Sequence, residues 1–203
     1  MKLYDSRVAP NPRRVRIFLA EKGIAVPTVQ VDLGRLEQRG EAFSRLNPLQ
    51  RTPALELDDG TVITESIAIC RYFEEMQPAP PLFGYDAMAR VMVEMWQRRV
   101  EFGLLWPVAA IVRHSHPAMR ELEQPQLPDY AETQRPRALA FLGLLDAQLG
   151  KQTFVAGERY SVADITALVA VDFMKPARLA APPELTNLAR WRADVSSRPS
   201  AAA

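Results

Sequence analysis

The chain has 203 residues, of which 48% are hydrophobic and 24% charged, a composition that is typical of globular proteins and excludes a disordered chain. Lys+Arg number 25 against Asp+Glu 24, and no basic stripe alternates with aromatic residues, so the sequence predicts no nucleic-acid partner. No apolar run reaches the ~20 residues that span a bilayer, and no secretory segment opens the chain, so we expect a cytoplasmic protein without a membrane partner.

The first part of the chain predicts strands and helices in alternation. Lys2 to Asp5 is a short strand, and "PRRVRIFLAEKG", from Pro12 to Gly23, has apolar residues on one helical face, a proline in its first turn and a glycine at its exit. Thr28 to Leu33 alternates as a second strand, and Gly40 to Leu46 is a short helix.

The stretch "RTPALELDDGTVITES", Arg51 to Ser66, predicts a β-hairpin. Ala54 to Leu57 and Thr61 to Thr64 are its strands, and Asp59-Gly60 is its turn. A helix over Glu65 to Met76 follows. The resulting order β-α-β-α-β-β-α is that of a thioredoxin-like domain.

The second part of the chain predicts only helices, after a proline-rich run, "QPAPPLFG". We therefore expect an α/β thioredoxin-like N-terminal domain at residues 1–77, a linker at 78–85 and an all-α helical-bundle C-terminal domain at 86–203. The expected helices are 86–114, bent or broken near Gly103 and Pro107, then 130–150, 161–174 and 185–199. The third of these opens with a capping box, Ser161 followed by Asp164, and its nearly all-round apolar content predicts a buried central helix.

This architecture resembles the glutathione transferase family, in particular its bacterial cytosolic members. The match is carried by the hairpin with its Pro and Glu-Ser, the continuing "IAICRYFEE", the proline-rich linker and "YSVADI". The resemblance implies a glutathione-dependent enzyme and a homodimer. Glutathione is then the co-substrate, no metal is needed, and the second substrate is a small electrophile or a disulfide.

The resemblance also implies a glutathione site. By resemblance, Pro53 is a cis proline that leaves the Thr52 backbone free to pair with the cysteinyl part of the tripeptide, as an added strand does. Ser66, where a helix begins, suits the γ-glutamyl carboxylate, and Glu65 suits the ammonium. The alternative for these two residues is ordinary helix N-terminal chemistry. The family's contacts to the glycyl carboxylate match Arg51 and Gln38.

The group that activates the sulfur is not at its usual place. Alignment on "RRVRIF" puts Asp5 and Ala9 where the family has its tyrosine or its serine or cysteine. Asn11 resembles the asparagine of the Nu-type enzymes, whose amide N–H groups favour the thiolate. Its alternative role is to cap a helix that starts at Pro12. Ser6 is the reserve candidate.

The second-substrate residues and the function class stay open at this point. Arg98, Arg99 and Phe102 lie on the helix that borders the acceptor pocket in the family, although core packing explains the nearby tryptophans equally well. The competing functions are a non-catalytic glutathione-binding or ligand-binding protein, which Ala9 keeps open, and a glutathione-dependent isomerase resembling the Zeta type. That type has a serine-rich start which "VAPNP" does not supply.

Three residues that often carry chemistry are interpreted as structural. Cys70 lies among apolar residues without a C-x-x-C motif, which favours a core position and excludes a disulfide framework within the chain. His114 and His116 lack further ligands, so they favour a surface turn over a metal site.

Overall fold

Two units make up the chain in a computed structural model that describes residues 1–203. Unit 1 comprises Met1–Pro80 with Ala202–Ala203, and unit 2 comprises Pro81–Ala201. The division falls within residues 78–85, the segment that the sequence predicts as a linker. The domain limits at 77 and 86 stay predictions.

Unit 1 is built on a mixed sheet with the strand order β2-β1-β3-β4. β1 (Lys2–Asp5) runs parallel to β2 (Thr28–Gln30) and antiparallel to β3 (Ala54–Glu56), and β3 pairs antiparallel with β4 (Val62–Thr64). The parallel pair β1–β2 needs a helical crossover, whereas the antiparallel strands β3 and β4 are joined by a tight turn. The predicted thioredoxin-like sheet is confirmed, although β2 ends before its expected limit at Leu33.

The turn between β3 and β4 forms at the predicted residues. Gly60 has φ 85°, a conformation that glycine adopts without steric cost. The Leu57 N–H donates to the Thr61 carbonyl at 2.8 Å, and the Thr61 N–H donates to Asp59 Oδ1 at 2.9 Å. Asp59-Gly60 is therefore confirmed as the hairpin turn.

Helix α1 (Pro10–Lys22) starts earlier than the sequence predicts. Ala9 is its N-cap and makes no side-chain capping bond, and Gly23 ends it with φ 64°. The expected start at Pro12 and the interpretation of Asn11 as the cap are wrong, because Asn11 is already the second helical residue. Proline fixes φ near the helical value, so either proline of this segment suits a first turn, and the helix uses the earlier one.

Two further helices complete unit 1. A 3-10 turn at Glu37–Arg39 precedes α2 (Glu41–Leu46), and α3 (Ser66–Met76) follows β4 directly. Helices α1 and α3 pack against each other. The buried side chains of this layer include Leu3, Val15, Ile17, Phe18, Leu55, Ile69 and Phe73.

Cys70 of α3 belongs to this core, as predicted. Burial raises the pKa of its thiol to about 12, while the nearby charge of Arg14 acts in the opposite direction. A thiol with such a pKa stays protonated at neutral pH and is a poor nucleophile.

Unit 2 contains only helices. These are α4 (Ala87–Val100), α5 (Trp106–Ser115), α6 (Pro128–Leu149), α7 (Val162–Phe173) and α8 (Thr186–Ser196). α4 and α5 are joined by a π-helical turn at Glu101–Leu105, so the expected bend or break near Gly103 takes the form of a widened turn in a continuous helix. A Cβ on Gly103 would lie 2.2 Å from Cδ2 of Phe141, which explains why no side chain fits there.

Helix α7 is the buried centre of unit 2. Ser161 and Asp164 form the predicted capping box. Asp164 is 0% exposed and also accepts hydrogen bonds from the Val155 N–H and from Nε1 of Trp191, both at 2.9 Å. Burial raises the pKa of this carboxyl to about 6, against the hydrogen bonds, which lower it.

The two histidines act in local structure. Nδ1 of His114 accepts the Leu127 N–H, and Nδ1 of His116 accepts the Ala118 N–H, each at 3.2 Å. These bonds fix the segment that leaves α5. Across the whole chain, none of the helices combines the length and the apolar character that crossing a bilayer requires.

Candidate active site

The strand register brings the predicted site segments to one edge of the sheet. Tyr4 of β1 pairs with Ala54 of β3, which pairs in turn with Thr64 of β4. Because β3 is antiparallel to both neighbours, β1 ends, β3 begins and β4 ends along the same edge. The loop after β1, the residues before Ala54 and the start of α3 therefore meet at this edge, which we call the site edge.

The backbone before β3 is free at the site edge. The Thr52–Pro53 peptide bond is cis, as the resemblance implies. Thr52 is 8% exposed, and its N–H and C=O take part in no hydrogen bond within the chain. Unpaired backbone groups beside a strand can accept an extended peptide as an added strand.

Asn47 holds the turn that leads to Thr52, a role that the sequence does not reveal. Its Nδ2 donates to the Arg51 carbonyl at 2.7 Å, and its Oδ1 accepts the Leu49 N–H at 3.0 Å. The side chain is buried, and the enclosed Gln50 has φ 55°. The signal available in the sequence is "LNPLQ", where Asn-Pro after a helix indicates a turn but not the contact that fixes it.

The start of α3 is open at the site edge. Glu65 precedes the helix with φ 65° and makes no side-chain capping bond, and Ser66 is 2% exposed. The first N–H groups of a helix lack intrahelical partners and carry partial positive charge, so they favour an anion. Positive φ at a residue other than glycine costs about 1–3 kcal/mol and clusters at functional sites. Because Glu65 makes no capping bond, side-chain capping does not explain why Glu65 and Ser66 stand at the start of α3.

The two residues that are expected to bind the glycyl carboxylate of glutathione, Arg51 and Gln38, differ in exposure. Arg51 is exposed, next to Thr52. Gln38 lies in the 3-10 turn after β2, is 3% exposed, and has a buried Oε1 without a hydrogen-bond partner. Gln30 of β2 pairs with Asp5, so the segment that contains Gln38 also leaves the sheet at the site edge.

The two candidate sulfur activators occupy different environments. Asn11 is exposed in the first turn of α1, and its Oδ1 accepts a hydrogen bond from Nη2 of Arg14 at 2.9 Å. Ser6 is buried directly after β1.

Asp5 is occupied by a structural network. Its buried carboxylate accepts from Nη1 of Arg16 and Nε2 of Gln30, both at 2.6 Å. Asp5 therefore ties the end of β1 to α1 and β2 through Arg16 and Gln30. It stands at the position where the family has its tyrosine.

The residues predicted for the second substrate lie in unit 2. Nε of Arg98 is paired with Oε1 of Glu94 at 2.9 Å, and the guanidinium of Arg99 lies 5.0 Å from the ring centroid of Trp96. Phe102 is 64% exposed and lines an open groove of about 430 Å³. Of the three, only Phe102 lines this groove, whose other walls include Trp106, Tyr130, Arg137 and Phe141.

Comparison with known proteins gives matches to both units. The family model for the glutathione S-transferase N-terminal domain matches residues 8–76, and that for the C-terminal domain matches residues 107–199. The solved structure of a glutathione S-transferase domain-containing protein from Marinobacter aquaeolei VT8 has a TM-score of 0.95 at 39% identity, covering 98% of this chain and 99% of that one.

Two curated relatives add to these matches. Glutathione S-transferase 2 of Saccharomyces cerevisiae is 34% identical over 203 residues, which covers 98% of this chain and 87% of the relative. Maleylacetoacetate isomerase of Pseudomonas aeruginosa is 41% identical over 92 residues, or 44% of this chain and 43% of the relative. Because both domain models match and a 34% identical relative aligns with 98% of this chain, the chain belongs to the glutathione S-transferase family.

Proposed function

We propose that this protein is a glutathione transferase that binds the tripeptide at the site edge and presents its thiolate to a small electrophile or a disulfide. The observation that carries the proposal is the register of β1, β3 and β4, which aligns the free Thr52 backbone with the open start of α3. An extended peptide with a carboxylate at each end fits such an edge.

Each part of glutathione has a proposed partner. The cysteinyl backbone pairs with Thr52 beside Pro53, and the γ-glutamyl carboxylate binds the Ser66 hydroxyl and the first N–H groups of α3. Glu65 binds the γ-glutamyl ammonium. The glycyl carboxylate is left for Arg51 and Gln38, a cation and an amide that suit an anion.

We assign thiol activation to Asn11, with Ser6 as the reserve. The N–H groups of a neutral amide stabilise thiolate relative to thiol, and the start of α1 adds its positive end. Asn11 is exposed whereas Ser6 is buried, which favours Asn11 as the group that reaches a ligand. Because a tyrosine, serine or cysteine is missing from the usual positions, disulfide or peroxide reduction is favoured slightly over broad conjugation.

The second substrate is assigned to the surface that carries Arg98, Arg99 and Phe102. Arg98 is neutralised by Glu94, and Arg99 lies against Trp96, so Phe102 is the strongest of the three candidates. An aromatic wall suits a planar, apolar electrophile.

We also propose a cytoplasmic homodimer. Met88 and Val91 of α4 are 69% and 61% exposed and, three residues apart, form an apolar strip on one helix face. Such a strip favours a protein partner, and the family resemblance supports a second copy of the chain. Analytical ultracentrifugation should give twice the mass of the chain, and Val91→Glu should shift it to the monomer.

A glutathione-dependent isomerase is the second candidate, because a maleylacetoacetate isomerase is 41% identical over 92 residues. A non-catalytic glutathione-binding protein is the third, because Ala9 stands where the family has its catalytic serine or cysteine.

One set of measurements separates these functions. Calorimetry gives the affinity for glutathione, and turnover is then followed with an aryl halide, a mixed glutathione disulfide and maleylacetoacetate. We expect binding together with turnover of the disulfide or the halide. Binding without any turnover would favour the non-catalytic protein, turnover of maleylacetoacetate alone would favour the isomerase, and absence of binding would reject the site.

A further inference from the structure

The amide of Asn11 has a defined orientation in the first turn of α1. Nη2 of Arg14, one helical turn further along, donates to Oδ1 of Asn11 at 2.9 Å. A guanidinium carries donors and no acceptor, so it can face only the carbonyl oxygen of the amide. Nδ2 of Asn11 makes no hydrogen bond within the chain, and its two N–H donors belong to an exposed side chain.

The cation that orients this amide is buried. Arg14 is 4% exposed, whereas most arginines keep their charge in water. The positive charge of Arg14 acts on neighbouring groups. It lowers the pKa of the Cys70 thiol, although burial of that thiol has the larger and opposite effect. A buried charge is screened less by solvent and salt than a surface charge, which strengthens its hydrogen bond to the Asn11 amide.

We propose that Arg14 is a positioning residue for thiol activation: it holds Asn11 with both amide N–H groups directed to the glutathione sulfur. Polarisation by the guanidinium strengthens these N–H donors. The bound thiol then loses its proton to water more readily, because the donors stabilise the thiolate. This inference rests on the proposed function, and specifically on contact between Asn11 and the sulfur.

Other charged or titratable side chains lie on α1, at the site edge and on α3, which packs against α1. They are Asp5 and Arg7 from β1 and its loop, Arg13 and Arg16 from α1, Arg51 before β3, Glu65 before α3, and the neutral Cys70 thiol and Glu74 from α3. Asp5 is paired with Arg16, and Glu74 with Lys22. Arg13 is the matched control, because its replacement removes the same unit charge from the adjacent position of the same helix.

The test is a double-mutant cycle on the thiol pKa of bound glutathione, measured by the ultraviolet absorbance of the thiolate as a function of pH. We expect Arg14→Met to raise this pKa by about one unit, the value of one charged hydrogen bond, and to have much less effect in an Asn11→Ala background. Arg14→Lys, which keeps a charge and a donor, should restore most of the shift, and Arg13→Met should leave the pKa near its wild-type value.

Asn11→Asp supplies a second variant that does not disturb the buried arginine. Aspartate keeps the contact with Arg14 but replaces the N–H donors by a carboxylate oxygen, which repels a thiolate. We expect it to raise the thiol pKa by more than Asn11→Ala does. This variant tests the orientation that the proposal requires even if Arg14→Met fails to fold, because it changes only the amide N–H side that Arg14 leaves facing the ligand.

Two outcomes would overturn the proposal while activation by Asn11 stands: an unchanged thiol pKa in Arg14→Met although Asn11→Ala raises it, or an equal effect of Arg14→Met in both backgrounds. Either would remove Arg14 from thiol activation. Asn11→Asp that titrates like the wild type would instead show that the amide N–H groups do not face the sulfur, and it would reject both Asn11 and Arg14 as activators while glutathione binding stands. A wild-type protein that binds glutathione without lowering its thiol pKa would reject activation by Asn11 itself.

Discussion

The helix starts of α7 and α3 are completed in opposite ways. At α7, the Asp164 side chain accepts the Ser161 N–H within the capping box at 3.0 Å, the Val162 N–H donates to the Leu82 carbonyl at 2.9 Å, and both capping-box residues are buried. At α3, Glu65 makes no side-chain capping bond, and the helix begins at the site edge. α1 resembles α3 in this respect, since Ala9 has no side chain that could cap it.

This difference separates groups that stabilise the fold from groups that serve a ligand. A capped, buried helix start leaves no donor for a ligand, so its value is stability alone. An open helix start keeps its donors and its positive end for an anion. We therefore expect substitutions at α7 to lower the free energy of unfolding, and substitutions at α3 to lower the affinity for glutathione.

The largest effect is expected for Asp164→Ala. The substitution leaves the buried N–H groups of Val155, Ser161 and Trp191 without their acceptor, which costs roughly 4 kcal/mol of unfolding free energy. Urea unfolding measures this loss. Asp129→Asn is the control, because Asp129 is an exposed acid in the first turn of α6, and it should cost less than about 0.5 kcal/mol. Equal losses in the two variants would contradict the assigned role of α7.

The pH dependence of stability tests the same carboxyl. Its folded pKa, about 6, lies above the unfolded value, so the folded state holds the proton more tightly between these two values. The contribution of Asp164 to stability is therefore full below about pH 4 and decreases as the pH rises to about 6, by up to ~3 kcal/mol. Unfolding of the wild type and of Asp164→Asn across this range should show a difference that shrinks with rising pH. A difference that grows with pH would mean that the hydrogen bonds to Asp164 outweigh its burial.

At the open helix start, Ser66→Ala should weaken glutathione binding about tenfold, the value of one hydrogen bond to a charged group. We expect kcat at saturating glutathione to change less than about twofold, because this contact lies at the γ-glutamyl end, away from the sulfur. Calorimetry and steady-state kinetics measure the two quantities. Ser115→Ala, which removes a hydroxyl bonded to the Ile111 carbonyl, is the control in unit 2. An unaltered dissociation constant in Ser66→Ala would remove Ser66 from the site.

The sequence predicts those elements whose signals are local. The hairpin follows from alternation and Asp59-Gly60, and the capping box follows from the spacing of Ser161 and Asp164, because each involves neighbours in the chain. The predicted start of α1 at Pro12 was wrong because Pro10 and Pro12 both fit the first turn of a helix, and only packing distinguishes them.

The features of the structure that the sequence does not predict depend on contacts between side chains or on rare backbone conformations. The clamp by Asn47 and the orientation of Asn11 by Arg14 are hydrogen bonds whose partners become visible only when the side chains are placed. The π-helical turn at Glu101–Leu105 changes the hydrogen-bond spacing without a residue pattern of its own. Glu65 is the clearest case, since nothing in its residue type indicates positive φ.

The smallest effect is expected for Glu65→Gly, which separates strain from binding within one residue. Glycine relieves the positive φ of 65°, but it also adds freedom to the unfolded chain, so the net gain in unfolding free energy is about 0.5–1 kcal/mol. Loss of the carboxylate should at the same time weaken binding of glutathione. Glu65→Gln keeps the strained backbone and removes only the charge, so it should weaken binding without stabilising the fold. If both variants are equally stable, the conformation of Glu65 costs the fold nothing, and strain gives no reason to assign this residue to the ligand.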